Sequence, residues 1–412
     1  SGTIELLVAA RVMQGLGASM MTPQTMAVIT RIFPPRERGQ AMALWGVTAG
    51  VATLTGPILG GFLLMGLGWE WIFFINVPVG IVALVLTMRY VPRLPTSAHR
   101  FDWLGVALSG IGMFLLVFGI QEGESFDWGV IWGPVTVWGL IIAGAVTLTL
   151  FVVWQRVQGG EPLIPLRIFA DRNFSVGTAA IMMVGLSMTS ISLPFMFYLQ
   201  LVHRLTPAQS ALMMVPMAVC SIVLARPVGK LVDRRDPRRL PIFGLLTVAS
   251  GLLLYYFLSP PENSVLWLLI PSTLLGIGQS FMWGSLATLT TFNLAPKIAG
   301  AGSGVYNTSR QIGAVLGAAA MAVLMQSRIT AKFGEGSAAA SLLGEGGGGA
   351  GGDVAGGNLT VLPESLREGF AAAMAESLLM PVAAVLVAAV ISLLFLPRPE
   401  PNAVQRPSEA AG

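Results

Sequence analysis

Charged side chains are scarce in this sequence. Asp, Glu, Lys and Arg make up 11% of the 412 residues, whereas they make up roughly 25% of soluble domains. Apolar residues account for 54%, and the mean hydropathy is +0.74. This composition predicts a polytopic membrane protein. The net charge of +4 is concentrated in loops on one side of the chain, so it does not indicate nucleic-acid binding.

Residues that could cross-link the chain or catalyse a reaction are also few. The single cysteine, Cys220, excludes an internal disulfide. The two histidines, His99 and His203, stand alone in predicted loops. The sequence has no HExxH metal motif, no GxxxxGK[ST] phosphate loop and no GxSxG nucleophile motif. We therefore expect no enzyme, no ATP-driven pump, no bound metal and no cofactor.

What the sequence does contain is a series of long apolar runs. A helix needs about 20 mainly apolar residues to cross a bilayer. By this criterion we predict eleven spans, at 5–30, 40–66, 71–90, 103–121, 130–155, 174–202, 207–230, 240–259, 264–293, 299–327 and 369–396. Of the 24 Lys and Arg residues, 18 lie in the odd-numbered connections and the tail, and four lie in the even-numbered connections. The positive-inside rule then places the C-terminus in the cytoplasm.

The chain also repeats itself at an offset of 261 residues. Gly15, Gly17 and Pro35 align with Gly276, Gly278 and Pro296. A cytoplasmic loop aligns with a cytoplasmic loop, so the two halves are predicted to be parallel repeats, which is a known plan of transporters. Three spans precede the second copy and none precedes the first. We therefore expect about three further helices upstream of Ser1.

These patterns divide the chain into five predicted parts. The connection at 159–173 mixes apolar and charged residues, which predicts a helix lying on the cytoplasmic membrane surface. The connection at 328–368 is glycine-rich and is predicted to be external. The parts are the last three helices of an N-terminal bundle (1–100), two additional helices (101–158), the linker (159–173), a C-terminal six-helix bundle (174–397) and a cytoplasmic tail (398–412).

Ionisable side chains inside spans are candidates for a proton or substrate pathway, because a charge in the membrane is costly unless it faces a cavity or a partner. The alternatives are an arginine that snorkels to the outer interface, a structural salt bridge, and an acid near the outer water interface. The candidates for proton coupling or a central cavity are Arg11, Gln14, Gln24, Asn307, Arg310 and Glu376.

The basic segment from Ala225 to Leu240 ends one span and contains acidic residues. We predict an ion-pair latch that holds the cytoplasmic helix ends together, with a purely positive-inside loop as the alternative. The predicted latch residues are Gly229, Asp233, Arg234 and Arg238.

Methionine and aromatic residues recur along several spans. Such residues make adaptable apolar surfaces and can contact cations through their rings. These residues predict a pocket for hydrophobic cations, although ordinary core packing is the alternative for most of them. The candidates are Met21, Trp45, Phe195, Tyr198 and Trp283.

A charge-free run from Gln40 to Trp69 contains the glycine-rich stretch Gly46–Gly61. Its small residues recur at four-residue spacing and predict close helix packing, and Pro57 predicts a bend. This stretch and the segment around Arg11 resemble segments of the major facilitator superfamily. The stretch resembles the fifth-helix antiporter motif of the fourteen-helix drug:proton antiporters, and ARVMQGLGA around Arg11 resembles their fourth-helix motif. WEWIFFINVPVG, PLIPLRIF and the NxxRQIG around Arg310 are similar to segments of the same group. The residues that match the antiporter motif are Ala43, Ala52, Gly56, Pro57, Gly60 and Gly61.

The resemblance implies an all-α polytopic membrane protein with two six-helix bundles and two extra central helices, of which eleven spans are present here. It implies a proton-coupled exporter of amphipathic, preferably cationic, compounds in the bacterial inner membrane. Its partners would be the substrate, protons, the lipid bilayer and, by analogy alone, a periplasmic adaptor. A metabolite exporter of narrow specificity is the alternative, and a non-transporting membrane sensor or scaffold is an alternative of another class.

Overall fold

The computed structural model is almost entirely helical in the part of the chain that it describes. It describes residues 4–34, 37, 40–42, 44–45, 48, 52, 55–56, 59–60, 63, 66, 68, 70–92, 102–123, 126, 128–159, 162–234, 236–295, 298–334 and 363–397. The α-helices, in chain order, are α1 (Ile4–Ile32), α2 (Trp71–Phe74), α3 (Asn76–Tyr90), α4 (Trp103–Gln121), α5 (Val137–Val157), α6 (Arg172–Phe197), α7 (Pro207–Leu212), α8 (Val215–Arg234), α9 (Arg239–Leu258), α10 (Leu269–Thr291), α11 (Ala299–Phe333), α12 (Glu364–Ser377) and α13 (Leu379–Ser392).

Nine helical segments within the described ranges are long and apolar enough to cross a membrane. They coincide with nine of the eleven predicted spans and confirm an all-α polytopic architecture. Helix α1 covers the first predicted span, with a shorter apolar stretch at Leu6–Met21. The second predicted span, at 40–66, lies largely outside the described residues, and those that are described there are helical.

Two connections differ from the prediction. The fifth predicted span does not begin at residue 130, because a small hairpin (β1, Val130–Trp132; β2, Val135–Thr136) precedes α5. Its turn contains Gly133, which has a positive φ of 55° and therefore breaks helical geometry. The linker forms only a five-residue 3₁₀ helix, Leu166–Ala170, instead of the predicted interfacial helix. Prolines at 162 and 165 remove backbone donors there, so a longer helix cannot form.

Helices α6 and α8–α13 share one hydrophobic core. Helices α6 and α11 pack tightly, and glycine makes this closeness possible. A Cβ on Gly185 would clash with the carbonyl of Arg310, and a Cβ on Gly317 would clash with the carbonyl of Leu186. Small residues of this kind let helix backbones approach within a membrane. Because α6 and α11 are held together at these points, the position of each residue of α6 along the membrane normal is fixed relative to the residues of α11.

The two ends of this bundle differ in charge. Helices α6 and α11 both begin at one end of the bundle, which we call the basic end and which is predicted to face the cytoplasm. We call the other end of the bundle the opposite end. Helix α11 has 35 residues, so it is about 52 Å long. Because a hydrocarbon core is about 30 Å thick, α11 extends well beyond it. Helix α1 packs along α11, and Ile29 of α1 contacts the bundle core.

Candidate functional site

Arg11 and Gln14 come together on α1 as the sequence predicts. Arg11 Nη1 donates a hydrogen bond to Gln14 Oε1 at 3.0 Å. The guanidinium also lies 4.5 Å from the centre of the Phe73 ring, a cation–π contact that sequence reasoning did not identify. The aromatic run around Phe73 is the signal that could have revealed it. Gln24 is thirteen residues further along, about 20 Å up the helix axis, so it does not belong to this cluster.

Asn307 and Arg310 lie on α11, and the backbone carbonyl of Arg310 faces Gly185 of α6. Asn307 is buried, and its Nδ2 donates to the carbonyl of Ser303 at 3.0 Å. Arg310 is partly buried, and its Nε has no hydrogen-bond partner within the described part of the chain. One turn earlier, Tyr306 is fully buried, and its hydroxyl likewise lacks a partner there. Sequence reasoning did not identify Tyr306, although its i, i+4 spacing to Arg310 could have indicated it.

Glu376 does not join Arg310 in a central site. Its carboxylate contacts Lys332 Nζ at 2.8 Å and Arg328 Nη1 at 3.3 Å. Arg328 is 18 residues beyond Arg310 on the same helix, about 27 Å along its axis. Glu376 therefore lies at the opposite end of the bundle, between two cations, and the prediction that it shares a cavity with Arg310 is corrected by this geometry.

The predicted latch segment makes a contact across the chain. Asp233 Oδ2 accepts a hydrogen bond from the backbone N–H of Gln40 at 3.3 Å, at the beginning of the helical stretch that follows α1. Gly229 packs against the same residue, and a Cβ at Gly229 would lie 2.7 Å from Gln40 Cα. Arg238 instead pairs with Asp236 at 2.6 Å, and this hydrogen bond raises the pKa of Arg238. The side chain of Arg234 lies outside the described part.

The described antiporter-motif residues show no close packing. Ala52 and Gly56 are exposed, and Gly60 is partly buried. A Cβ at Gly56 or Gly60 would meet no described atom within 4 Å. Ala43, Pro57 and Gly61 lie outside the described residues. The 261-residue repeat aligns Gly56 with Gly317, which is in tight helix contact; the corresponding role of Gly56 stays a prediction.

The five pocket candidates do not converge on one surface. Phe195 and Tyr198 are only 6% and 5% exposed and belong to the bundle core. Phe195 packs on Tyr255, with ring centres 4.9 Å apart. Trp283 packs partly buried against the same core, Trp45 is partly buried, and Met21 is 67% exposed. Burial of the two aromatic residues removes them as a ready surface for a substrate.

Two polar clusters were missed by sequence reasoning. Asp102 caps α4 by accepting from the N–H of Gly105 at 2.8 Å, and it also accepts from Trp154 Nε1 and Gln155 Nε2. Burial alone would raise the pKa of Asp102, but these hydrogen bonds outweigh it, so the pKa lies below its usual value. An Asp directly before an apolar helix is an N-cap signal that could have found it.

The second missed cluster lies at the opposite end of the bundle. His203 Nε2 is 2.9 Å from the hydroxyl of Tyr198, which also lies 2.9 Å from the carbonyl oxygen of Ser259. Nearby, Arg367 Nε donates to the carbonyl of Val202 at 2.7 Å. Burial, and secondly the charge of Arg367, lower the pKa of His203. Among the residues that the structure describes, no group of three or more His, Cys, Asp or Glu could hold a metal ion.

The described part of the chain has long apolar helices, arginines within two of its helices, and a contact that joins two distant segments at the basic end. The sequence profile of the Major Facilitator Superfamily matches residues 1–318. The chain therefore belongs to the Major Facilitator Superfamily, a family of transporters and not of enzymes.

Its relatives include drug-resistance proteins. An uncharacterized MFS-type transporter of Mycobacterium tuberculosis is 44% identical, over 95% of this chain and 65% of its own length. The tetracenomycin C resistance and export protein of Streptomyces glaucescens is 32% identical over 80% of this chain and 60% of its own. A multidrug resistance protein B homolog of Mycobacterium tuberculosis is 33% identical over 78% and 59%. The chain thus spans 59% to 65% of the length of these relatives.

Proposed function

We propose that this chain works in a proton-coupled efflux transporter that exports amphipathic compounds across the bacterial inner membrane by alternating access. The proton gradient would be the energy source, with no cofactor, and the C-terminus would be cytoplasmic. Support comes from membership in a transporter family and from relatives whose names denote multidrug resistance and drug export. A periplasmic adaptor is proposed as a partner by analogy alone.

The contact between Gln40 and Asp233 is the observation that carries this proposal. Alternating access needs contacts that hold one face of the protein closed in one state and break in the other. A carboxylate near the beginning of a helix is favourable, because the helix N-terminus carries a partial positive charge. The contact lies at the basic end and joins two segments 193 residues apart in sequence. It therefore suits a reversible closure between the two halves.

Proton coupling would involve Arg11. The Arg11 guanidinium contacts Gln14 and the Phe73 ring. A positive charge near a carboxylate lowers the pKa of that carboxylate, so Arg11 would tune an acid that approaches it during the transport cycle. Glu376, the acid nearest the midpoint of a described span, already contacts Arg328 and Lys332.

The test is transport by the natural full-length protein in an efflux-deficient bacterial host. Dyes of positive, zero and negative charge would be loaded, and their efflux followed by fluorescence with and without a protonophore. We expect efflux of at least one dye class, and its collapse when the protonophore is added. No efflux of any dye, or efflux indifferent to the protonophore, would contradict proton-coupled drug export.

A dedicated exporter of narrow specificity is the second candidate. The name of the Streptomyces glaucescens relative, a tetracenomycin C resistance and export protein, favours it. Growth of the same host against a broad toxicity panel separates the two candidates. Protection against one chemical class supports the dedicated exporter, and protection against several unrelated classes supports the multidrug exporter.

A further inference from the structure

Arg310 is a cation inside a membrane-spanning helix with no described acceptor for its charge. It is eleven residues into α11, about 17 Å from the beginning of the helix. No ion pair or hydrogen bond joins its side chain to another residue within the described ranges, and its Nε atom is buried. Such a charge costs several kcal/mol in a bilayer unless it faces a cavity or meets a partner. The residue as a whole is half-buried within the described part of the chain.

Tyr306 supplies a second donor at the same place. It is fully buried one helical turn before Arg310, and its hydroxyl has no partner among the described residues. Buried tyrosine hydroxyls usually form a hydrogen bond, so this hydroxyl has an unused donor. On α6, Thr178 lies between the two points at which α6 meets Gly302 and Arg310 of α11. Its buried hydroxyl also lacks a partner in the described structure.

The surrounding elements offer no negative charge near this depth. Helices α4, α6 and α10 contain no Asp or Glu, and neither does α11 itself. The acids of the nine described spans are Asp233, Glu364, Glu368 and Glu376. Glu376 pairs with Arg328, which is about 27 Å from Arg310 along α11. Helix α1 packs along α11 and adds a second cation, Arg11. The described neighbours α4, α6 and α10 therefore offer Arg310 no carboxylate.

We propose that Arg310 and Tyr306 form a binding subsite for an acidic oxygen, such as a carboxylate or sulfonate, of the transported amphipathic compound. This inference rests on the proposed export function and names its substrate class. A guanidinium donates two parallel hydrogen bonds to a carboxylate, and the tyrosine hydroxyl adds a third. Because water is scarce at this depth, these bonds are stronger than they are in bulk solution. The subsite reverses the preference for cations that the aromatic residues suggested.

The test compares two probes that differ only in charge. The natural full-length transporter is purified into lipid nanodiscs, and binding of 1-pyrenebutyrate and of its neutral methyl ester is measured by energy transfer from tryptophan to pyrene. We expect the acid to bind at least about tenfold more tightly than the ester, as for one charge-assisted hydrogen-bond pair. Arg310→Gln should remove most of that difference, and Tyr306→Phe should reduce it a few-fold. Arg328→Gln, which changes an arginine on the same helix outside the subsite, should leave it unchanged.

Equal binding of the acid and the ester to the unaltered protein would overturn the subsite, because it would mean that Arg310 is already neutralised from within the protein. Unchanged selectivity in Arg310→Gln would also overturn it. If that variant does not fold, Tyr306→Phe, which removes a single oxygen atom, decides instead. Binding is measured without transport, so selective binding with no dye efflux upholds the subsite and contradicts the export function. Efflux with no acid selectivity upholds the export function and contradicts the subsite.

Discussion

Gln155 connects Asp102 to the linker that leads into the C-terminal bundle. Its Nε2 donates to Asp102 Oδ2 at 2.7 Å, and its Oε1 accepts from the backbone N–H of Ile164 at 3.0 Å. Ile164 in turn packs against Ile168 and Phe174, at the beginning of α6. The two additional helices, α4 and α5, are thus tied at one end to the C-terminal bundle.

Removal of Asp102 is expected to destabilise this junction. Asp102→Ala takes away an N-cap and leaves the Trp154 and Gln155 donors without their acceptor, so the free energy of unfolding should fall by about 2–3 kcal/mol. Denaturant titration of the purified protein measures it. Thr136→Ala is the matched control, because it removes only the α5 N-cap hydrogen bond to Gly139 and should cost about 1 kcal/mol. If both variants lose the same free energy of unfolding, the hydrogen bonds of Asp102 with Trp154 and Gln155 add no stability beyond that of the N-cap.

The lowered pKa of Asp102 predicts that the stability of the folded protein depends on pH. The pKa of Asp102 is lower in the folded protein than its usual value of 3.8, so its stabilising contribution is complete above that value. It is lost as the pH falls through the lowered folded pKa. Thermal unfolding between pH 7 and pH 3 should therefore show a steeper decline for the natural protein than for Asp102→Ala. Parallel curves would contradict the prediction.

The contact of Gly229 with Gln40 predicts a steric requirement at the basic end. Gly229→Ala would place a Cβ 2.7 Å from the Gln40 Cα atom, so the two segments must separate and closure should weaken. We expect at least a several-fold loss of efflux with normal expression in the membrane. Gly304→Ala is the control, because its Cβ would meet no described atom within 4 Å. Equal activity of the two variants would exclude a role for this contact.

Glu376 is expected to act in stability and not in proton coupling. Its ion pairs with Arg328 and Lys332 are partly solvent-exposed, so Glu376→Gln should lower the free energy of unfolding by only about 1 kcal/mol. Protonophore-sensitive efflux should persist. Glu364→Gln, at a more exposed pair with Arg204, should have a smaller effect on stability. Loss of proton coupling in Glu376→Gln alone would restore it as a coupling residue.

His203 is expected to stay neutral at neutral pH. Burial, and then Arg367, lower its pKa, so its contribution to stability is present above its usual value of 6.5 and is lost as the pH falls through the lowered folded pKa. In NMR of the protein carrying ¹³C-labelled histidine, the signal that a His203→Gln variant loses identifies His203. Arg367→Gln should raise the observed pKa. A midpoint at or above 6.5 in the natural protein would refute the prediction.

Much of the architecture could be predicted because apolar length is a local property. Nine of the eleven predicted spans followed from the sequence, with boundaries that differ by up to seven residues. The close packing predicted at Gly46–Gly61 stays a prediction. The hairpin at Val130–Thr136 and the short 3₁₀ helix at Leu166–Ala170 were missed, since single Gly and Pro residues decide them. Of the candidate sites, the Arg11–Gln14 pair was predictable from its i, i+3 spacing. The partners of Glu376 and Asp233 come from distant segments, and no local pattern contains them.

The sequence by itself determined that this chain is a helical membrane protein of the Major Facilitator Superfamily. Composition, span length and motif spacing are properties of the linear sequence and need no tertiary contact. Only the tertiary structure decided which charges meet. It placed Glu376 between Arg328 and Lys332, brought Asp233 to Gln40, and left Arg310 beside Tyr306 without a described acceptor. The physical reason is that electrostatic partners are chosen by distance in space, and in a helix bundle that distance depends on the depth at which separate helices pack.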